Sequence, residues 1–294
     1  MNIEKEYFLA EDGANLFGLL HKSEKITNSE VVISTHGMGS SCIKTRDDTI
    51  ARKLTENGID YFTYNNRGSG IINEIRFEEG KRLQGTAFED VEDCYYDVVG
   101  AIKLMIKKGY TKIHLQGHSL GSTKTVYTYN KLIENEEMEI LKKIKSVILL
   151  SLVDIASVMN YLVGSSSLDI IKIAEQCEAE GDVNHVIATN ISFMPLVSVK
   201  TFLKYYKNNK CIDFAKYTTP GFEFEKINSI KIPLFMRWGN VNELIAIPAN
   251  ELAELLNTKI YNANKDINFI DGATHNYTGK EQELAEQILK FLKK

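Results

Sequence analysis

The stretch KIHLQGHSLGS sets Ser119 between two glycines, Gly117 and Gly121, directly after an apolar run. A hydroxyl in a G-x-S-x-G pattern that follows a strand and opens a helix has one demanding use, as a nucleophile. On so tight a turn the strand and helix crowd the flanking positions, so small residues two places either side let Ser119 stand proud of the sheet. The following helix points its amino end at the same spot and favours an anion forming there. A plain turn serine would not need this context.

A serine hydroxyl is a weak nucleophile and needs a base to accept its proton. Six histidines are available. His118 lies inside the turn and cannot fold back onto its neighbour. His36 and His114 fall at or within apolar strands, where a satisfied core imidazole is expected. His21 and His185 sit among polar residues with nothing directed at them. His275 differs: in FIDGATHNYTG it follows the last apolar strand in a glycine-bearing loop ahead of the terminal helix. In a doubly wound sheet that loop reaches the carboxyl edge of the strands, the edge Ser119 occupies. His275 is therefore the expected base. Its position near the chain's end also fits the order serine, acid, histidine. The oxyanion of an acyl-transfer transition state needs preorganised donors. The Leu120 amide supplies one, and the small-residue loop HGMGSS supplies the other from Met38, with Gly39 as runner-up.

The elements that must hold these groups are readable from periodicity. KEYFLAEDGANLFGLLHK reads as a hairpin turning at Asp12-Gly13. EVVISTHG, IDYFTYNNRG, TKIHLQGHS, IKSVILLSLVD, IKIPLFMRWGN and DINFIDGATH read as buried strands. Between them, DDTIARKLTENG, AFEDVEDCYYDVVGAIKLMIKKG, the stretch from Ser119 to about Asn135, and the terminal GKEQELAEQILKFLKK read as helices. Near-continuous apolar strands alternating with helices mean an α/β fold with a doubly wound, mostly parallel sheet. The segment 156–230 breaks the alternation. It has helical patterns, no evident core strand and many large side chains, among them Met159, Phe202 and Tyr205. It is expected to be an inserted helical cap over the strands' carboxyl edge, with 1–155 and 231–294 forming the core. An ordinary run of helices on the sheet face is the alternative.

Composition narrows the function classes. The chain of 294 residues is 44% apolar and 25% charged with a net charge of −4, and its basic residues are scattered. No basic stripe for nucleic acid is present. No apolar run reaches membrane-spanning length, and MNIEKEYFLAEDG lacks the core of a secretory signal. Cys42, Cys94, Cys177 and Cys211 are widely spaced, without the pairing of a zinc site or disulfide framework. A cytoplasmic protein with a small-molecule substrate, no metal and no nucleic-acid or membrane partner is expected. Oligomeric state is not readable.

STHGMGSS, YNNRGSG, LQGHSLGS and DGATHNY, in this order and spacing, resemble the serine hydrolases of the α/β-hydrolase superfamily over nearly the whole chain. FTYNNRG and IHLQGHSLGSTKTVY further resemble a microbial esterase-like subgroup with a helical cap. The resemblance implies an eight-stranded sheet, a Ser-His-acid triad and no cofactor, with Ser119 as nucleophile, His275 as base, and Leu120 and Met38 as oxyanion donors. The acid departs from the pattern. The family has aspartate three residues beyond the glycine of IPLFMRWG, and Asn242 stands there. Glu243 next door is the first choice, Asp154 at the end of LLSLVD the second, and Asn242 itself a neutral orienter; Asp271 is expected to be structural. Arg67 in NNRGSG could bind an anion but is expected to tie loops together. The expected activity is cleavage of a carboxylic ester with an apolar acyl or aryl group through an acyl-enzyme. A thioesterase, amidase or acyltransferase would use the same residues. A lapsed hydrolase that merely binds a ligand is the reading from another class, kept open by Asn242.

Overall fold

The computed structural model describes all residues except 26–28, 165–168, 208 and 211. Cys211 and part of 156–230 thus lie outside the described residues. The chain opens with β1 (Asn2–Leu9) and β2 (Asn15–Lys22), an antiparallel hairpin. Gly13, with φ 85°, supplies the left-handed residue of its turn. β3 (Glu30–Thr35), α1 (Thr45–Thr55) and β4 (Asp60–Asn65) follow, and then a small separate hairpin, β5 (Asn73–Phe77) and β6 (Gly80–Gln84). After a 3₁₀ turn come α2 (Cys94–Lys107), β7 (Lys112–His118), α3 (Leu120–Glu134), the short α4 (Met138–Leu141) and β8 (Ile144–Leu150).

Between β8 and the next long strand lie α5 (Ile155–Gly164), α6 (Asp169–Glu180), the short strands β9 (Val186–Ala188) and β10 (Leu196–Ser198), α7 (Val199–Tyr206) and α8 (Glu225–Asn228). The chain ends with β11 (Leu234–Trp238), α9 (Ala249–Lys259), β12 (Lys265–Phe269) and α10 (Glu281–Leu292). The main sheet has eight strands in the order β1-β2-β4-β3-β7-β8-β11-β12. It is parallel from β4 through β12, with β1 and β2 antiparallel at one edge.

The apolar strands are continuous because both faces are covered. Val31 and Ile33 of β3, with Leu115 of β7 and Leu149 of β8, pack with Val98 and Ile102 of α2 and Val126 of α3. Val32, Ile148 and Leu150 point the other way, onto Ile50 and Leu54 of α1 and Leu284 and Ile288 of α10. A third cluster joins Met159, Ala174 and Phe202 of the β8–β11 segment to Leu120 and Val153 at the strands' carboxyl ends. The connection after β3 packs on one face and that after β7 on the other. The carboxyl ends of these adjacent strands therefore flank a crevice at the topological switch point, where open α/β sheets build their sites.

The crossing of β7 and α3 is tight enough to fix residue type. A Cβ on Gly117 would lie 2.2 Å from the Gly121 carbonyl oxygen, and one on Gly121 would lie 2.1 Å from that of Thr35. Neither neighbour is a side chain that could swing away. Gly121→Ala is expected to destabilise the fold by at least ~2 kcal/mol, since overpacking against backbone cannot relax through rotamers. A chemical-denaturation midpoint indistinguishable from wild type would contradict this.

Candidate active site

Ser119 is the cap residue of α3, with φ 56° and ψ −127°. A side chain in this sparsely populated region costs about 1–3 kcal/mol unless its surroundings enforce it. Here they do. The Ser119 amide donates to Leu150 O at 2.8 Å, and the Ser122 hydroxyl lies 2.9 Å from Gly117 O and 2.8 Å from Leu150 O. The turn is stitched to β8 on one side and its own helix on the other.

The HGMGSS loop lies directly alongside. A Cβ on Gly37 would come within 3.0 Å of Ser119 Cβ, so this position too must be bare. The Gly39 amide donates to Thr86 Oγ1 at 2.6 Å. Gly39 is thereby spoken for, whereas the Met38 amide has no hydrogen-bond acceptor among the described residues. Leu120 is the first residue of α3, so its amide has no intrahelical partner either. Met38, Leu120, Ser119 and His275 line one cavity of about 380 Å³.

Of the acids weighed for His275, the structure brings one to the imidazole. Glu243 Oε1 is hydrogen-bonded to His275 Nδ1, with the Glu243 side chain 1% exposed. The carboxylate is held by further donors: the Gly239 amide at 2.9 Å and the Ser151 hydroxyl at 3.0 Å reach Oε2, and the Leu244 amide at 3.2 Å reaches Oε1. Asn242, at φ 49°, is exposed. That left-handed turn, which asparagine tolerates better than most side chains, leaves Asn242 in solvent and Glu243 inside. Asp154 is engaged elsewhere: it accepts from the Ser157 amide at 2.9 Å, and from the Thr218 amide at 3.2 Å and hydroxyl at 2.6 Å, capping α5. Asp271 accepts from Asn240 Nδ2 at 2.8 Å on the surface.

Three more residues surround the imidazole: His118, set aside as the base, and Ser151 and Tyr277, which the sequence did not single out. His118 Nε2 donates to the His275 carbonyl at 2.7 Å, and the two rings lie 4.9 Å apart. Burial first, then the charge of Arg46, holds His118 well below the ordinary imidazole range. It is a neutral strut, consistent with a side chain that does not reach back to its neighbour. Ser151, itself at φ 50°, sets its hydroxyl 3.0 Å from Glu243 Oε2 and 3.1 Å from the Tyr277 hydroxyl, which donates to Arg237 O at 2.8 Å. The signal available was position: Ser151 just after β8, and Tyr277 two residues past His275.

The other histidines are accounted for. His36 is buried, its Nδ1 2.8 Å from Gly37 O while its Nε2 accepts from the Asn66 amide at 3.2 Å; burial and the Lys124 charge lower its pKa to about 3. His21 corrects the expectation of polar surroundings: it is buried on β2 against Tyr61, and burial lowers its pKa. His185 pairs at 3.3 Å with Asp182. His114 takes part in a second serine–histidine–glutamate chain, with Ser146 Oγ 2.7 Å from Nδ1 and Glu30 Oε1 2.8 Å from Nε2. That chain sits at the amino ends of the strands, and Ser146 lies within the regular β8 with no helix start behind it. It has the residue types without the strained turn or the amides, and serves to satisfy buried polar groups. Arg67 is buried and spans Asp97 at 2.7 Å, Asp12 at 2.9 Å and Asp93 at 3.2 Å, which makes it the loop tie expected.

Residues 27–151 match the family model described as serine aminopeptidase, S33. No curated protein sequence matches the chain. Among solved structures, the chain is similar to Est1E from Butyrivibrio proteoclasticus with ferulic acid bound, at 15% identity and TM-score 0.64 over 97% of each chain. It is also similar to a soluble variant of monoglyceride lipase from Saccharomyces cerevisiae, at 15% identity and TM-score 0.63 over 97% of this chain and 94% of that one. An esterase from Pyrococcus furiosus aligns at 20% identity and TM-score 0.60, over 99% and 91%. At these identities the structural likeness speaks for the fold, and the family match covers the half of the site that carries Met38 and Ser119. Together with the sheet order, they show that the chain has the α/β-hydrolase fold.

Proposed function

We propose that the protein is a serine hydrolase that cleaves a carboxylic ester through an acyl-enzyme. Ser119 Oγ attacks the ester carbonyl carbon while His275 Nε2 takes its proton. Glu243 on Nδ1 orients the ring and stabilises the imidazolium that forms. The amides of Met38 and Leu120 hold the oxyanion. The intermediate collapses to acyl-Ser119 as the imidazolium protonates the departing alcohol. Water, deprotonated by His275, then releases the acid. The observation that carries this reading is the Glu243 bond to His275 Nδ1 in a loop that shares one cavity wall with Ser119. It also weighs against a lapsed hydrolase, since the exposed Asn242 is not the imidazole's partner.

Leu120, Val153, Val158, Met159, Phe193 and Leu244 give the cavity a largely apolar wall, which favours an acyl or aryl group of small-molecule size. Several of these come from the β8–β11 segment, which we assign as a helical cap of residues 156–230 on a core of 1–155 and 231–294. An ester is preferred over a thioester or amide because two of the structural neighbours are described as esterases. Among the described residues no helix is long and apolar enough to cross a membrane. We assign a cytoplasmic location, with which cysteines spaced too widely for a zinc site or a disulfide framework are in keeping.

A fluorophosphonate probe tests the mechanism. The folded protein is expected to gain one phosphonyl adduct, mapped by mass spectrometry to Ser119. Absence of the adduct would favour the ligand-binding reading.

A further inference from the structure

The cavity wall carries an unusual charge for an acidic protein. No aspartate or glutamate lines it among the described residues, and its one fixed charge is the ammonium of Lys44. Lys44 makes no ion pair or hydrogen bond among the described residues through its side chain, although it stands beside an acidic helical turn. The nearby carboxylates are engaged elsewhere. Asp48 accepts from Arg52 at 2.9 Å; Asp47 accepts from Arg46 at 2.7 Å, Ser34 at 2.8 Å and Tyr61 at 2.7 Å. Lys44 is also the cap position of α1 and makes no side-chain capping bond, so the positive end of that helix adds to its field. Behind it Arg46 is 4% exposed, with Nε buried and without a partner. A cation on the wall of this cavity, otherwise lined by apolar and uncharged polar groups and the imidazoles of His118 and His275, lacks the internal partner that most surface lysines here have.

We propose that Lys44 recognises a negative charge on the substrate, so that the preferred ester carries an anionic group, such as a carboxylate, separated from the scissile carbonyl by an apolar spacer. The inference rests on the hydrolase reading of the same site and narrows its substrate class. The apolar wall takes the spacer, the oxyanion amides take the carbonyl, and Lys44 takes the far end. Lys44 acts in specificity and has no part in proton transfer or nucleophilic attack.

The measurement is a ratio of kcat/KM for two esters of matched chain length, p-nitrophenyl hydrogen adipate and p-nitrophenyl hexanoate. Lys44→Ala is expected to lower the adipate-to-hexanoate ratio about fivefold, the upper range for an ion pair at an exposed lysine. Lys44→Arg should retain most of the ratio and Lys44→Glu should lower it further. Raising salt to 0.5 M (roughly a 4 Å screening length) should lower the wild-type ratio while leaving that of Lys44→Ala flat. An equal ratio in wild type and Lys44→Ala overturns the proposal. A second arm works without turnover: calorimetric binding of monoethyl adipate to Ser119→Ala and to Ser119→Ala/Lys44→Ala. About fivefold weaker binding in the double variant supports the assignment, and equal binding overturns it. Failure to hydrolyse either ester would count against the hydrolase reading alone, because the binding arm still decides the role of Lys44.

Discussion

Ser119→Ala is expected to lower kcat by roughly 10⁴- to 10⁶-fold on any ester the wild-type protein turns over, the loss typical when a serine nucleophile is removed from a working triad. The substitution is clean for a structural reason. Alanine keeps the Cβ and so inherits the same strained backbone at φ 56°. The bonds that hold the turn use the Ser119 amide and the Ser122 hydroxyl, not the Ser119 hydroxyl. Thermal midpoint and near-UV circular dichroism should therefore stay at wild-type values while turnover collapses. The residual rate reports what the Met38 and Leu120 amides and substrate binding achieve on their own. A variant that retains even a tenth of wild-type kcat would mean that the reaction does not pass through Ser119.

What the sequence carried about this site depends on how local each determinant is. The elbow was legible because its pattern is local: Gly117 is required by the Gly121 carbonyl oxygen about 2 Å from where its Cβ would stand, and only Gly121 answers to a distant group, the Thr35 carbonyl of β3. The strands were legible because two covered faces demand continuous apolar runs. His275 could be selected since a last-strand loop in this topology must reach the carboxyl edge. The acid could not be chosen in the same way. Glu243 and Asn242 are adjacent, and which one turns inward is decided by the left-handed backbone at Asn242 and by donors from Gly239 and Ser151. Ser151 arrives from another strand, so no local pattern contains it.

Elements outside the alternating core were harder still. β5 and β6 form from NEIRF and GKRLQ, a mostly exposed pair with few apolar residues, and were not anticipated. α9 has its apolar stripe in Leu252 and Leu256 but opens after Pro248 without a side-chain cap bond, and was likewise passed over. The long helix expected from AFEDVEDCYY begins instead at Cys94, after a 3₁₀ turn at Val91–Asp93. Its expected first turn is spent elsewhere: Glu89 joins the buried ion pair with Lys124, and the Ala87 carbonyl accepts from the Ser198 amide.

Glu243→Gln is expected to cost about as much as the loss of a triad acid elsewhere, on the order of 10⁴-fold in kcat. The hydrogen-bond inventory explains why so small a change should be so costly. The two carboxylate oxygens together accept from the Gly239 amide, the Leu244 amide, the Ser151 hydroxyl and His275 Nδ1. A glutamine must turn its NH₂ toward one side of this set. Turned to Oε2's place, it opposes the Gly239 amide; turned to Oε1's place, it opposes the proton on Nδ1. The second arrangement is relieved by moving that proton to Nε2, and an imidazole protonated there cannot accept the proton of Ser119. The first leaves a buried donor unpaired and removes the charge that stabilises the imidazolium. The first arrangement weakens the base and the second removes it, while the backbone that carries the ring stays tethered through the His118 bond to the His275 carbonyl. Asp154→Asn is the companion measurement. Its carboxylate caps α5 and binds Thr218, and asparagine caps about as well as aspartate. Turnover should stay within about threefold of wild type, with any loss appearing in stability. If Asp154→Asn abolished activity and Glu243→Gln preserved it, the bond between Glu243 and His275 would be structural and the acid would have to be sought at the end of β8.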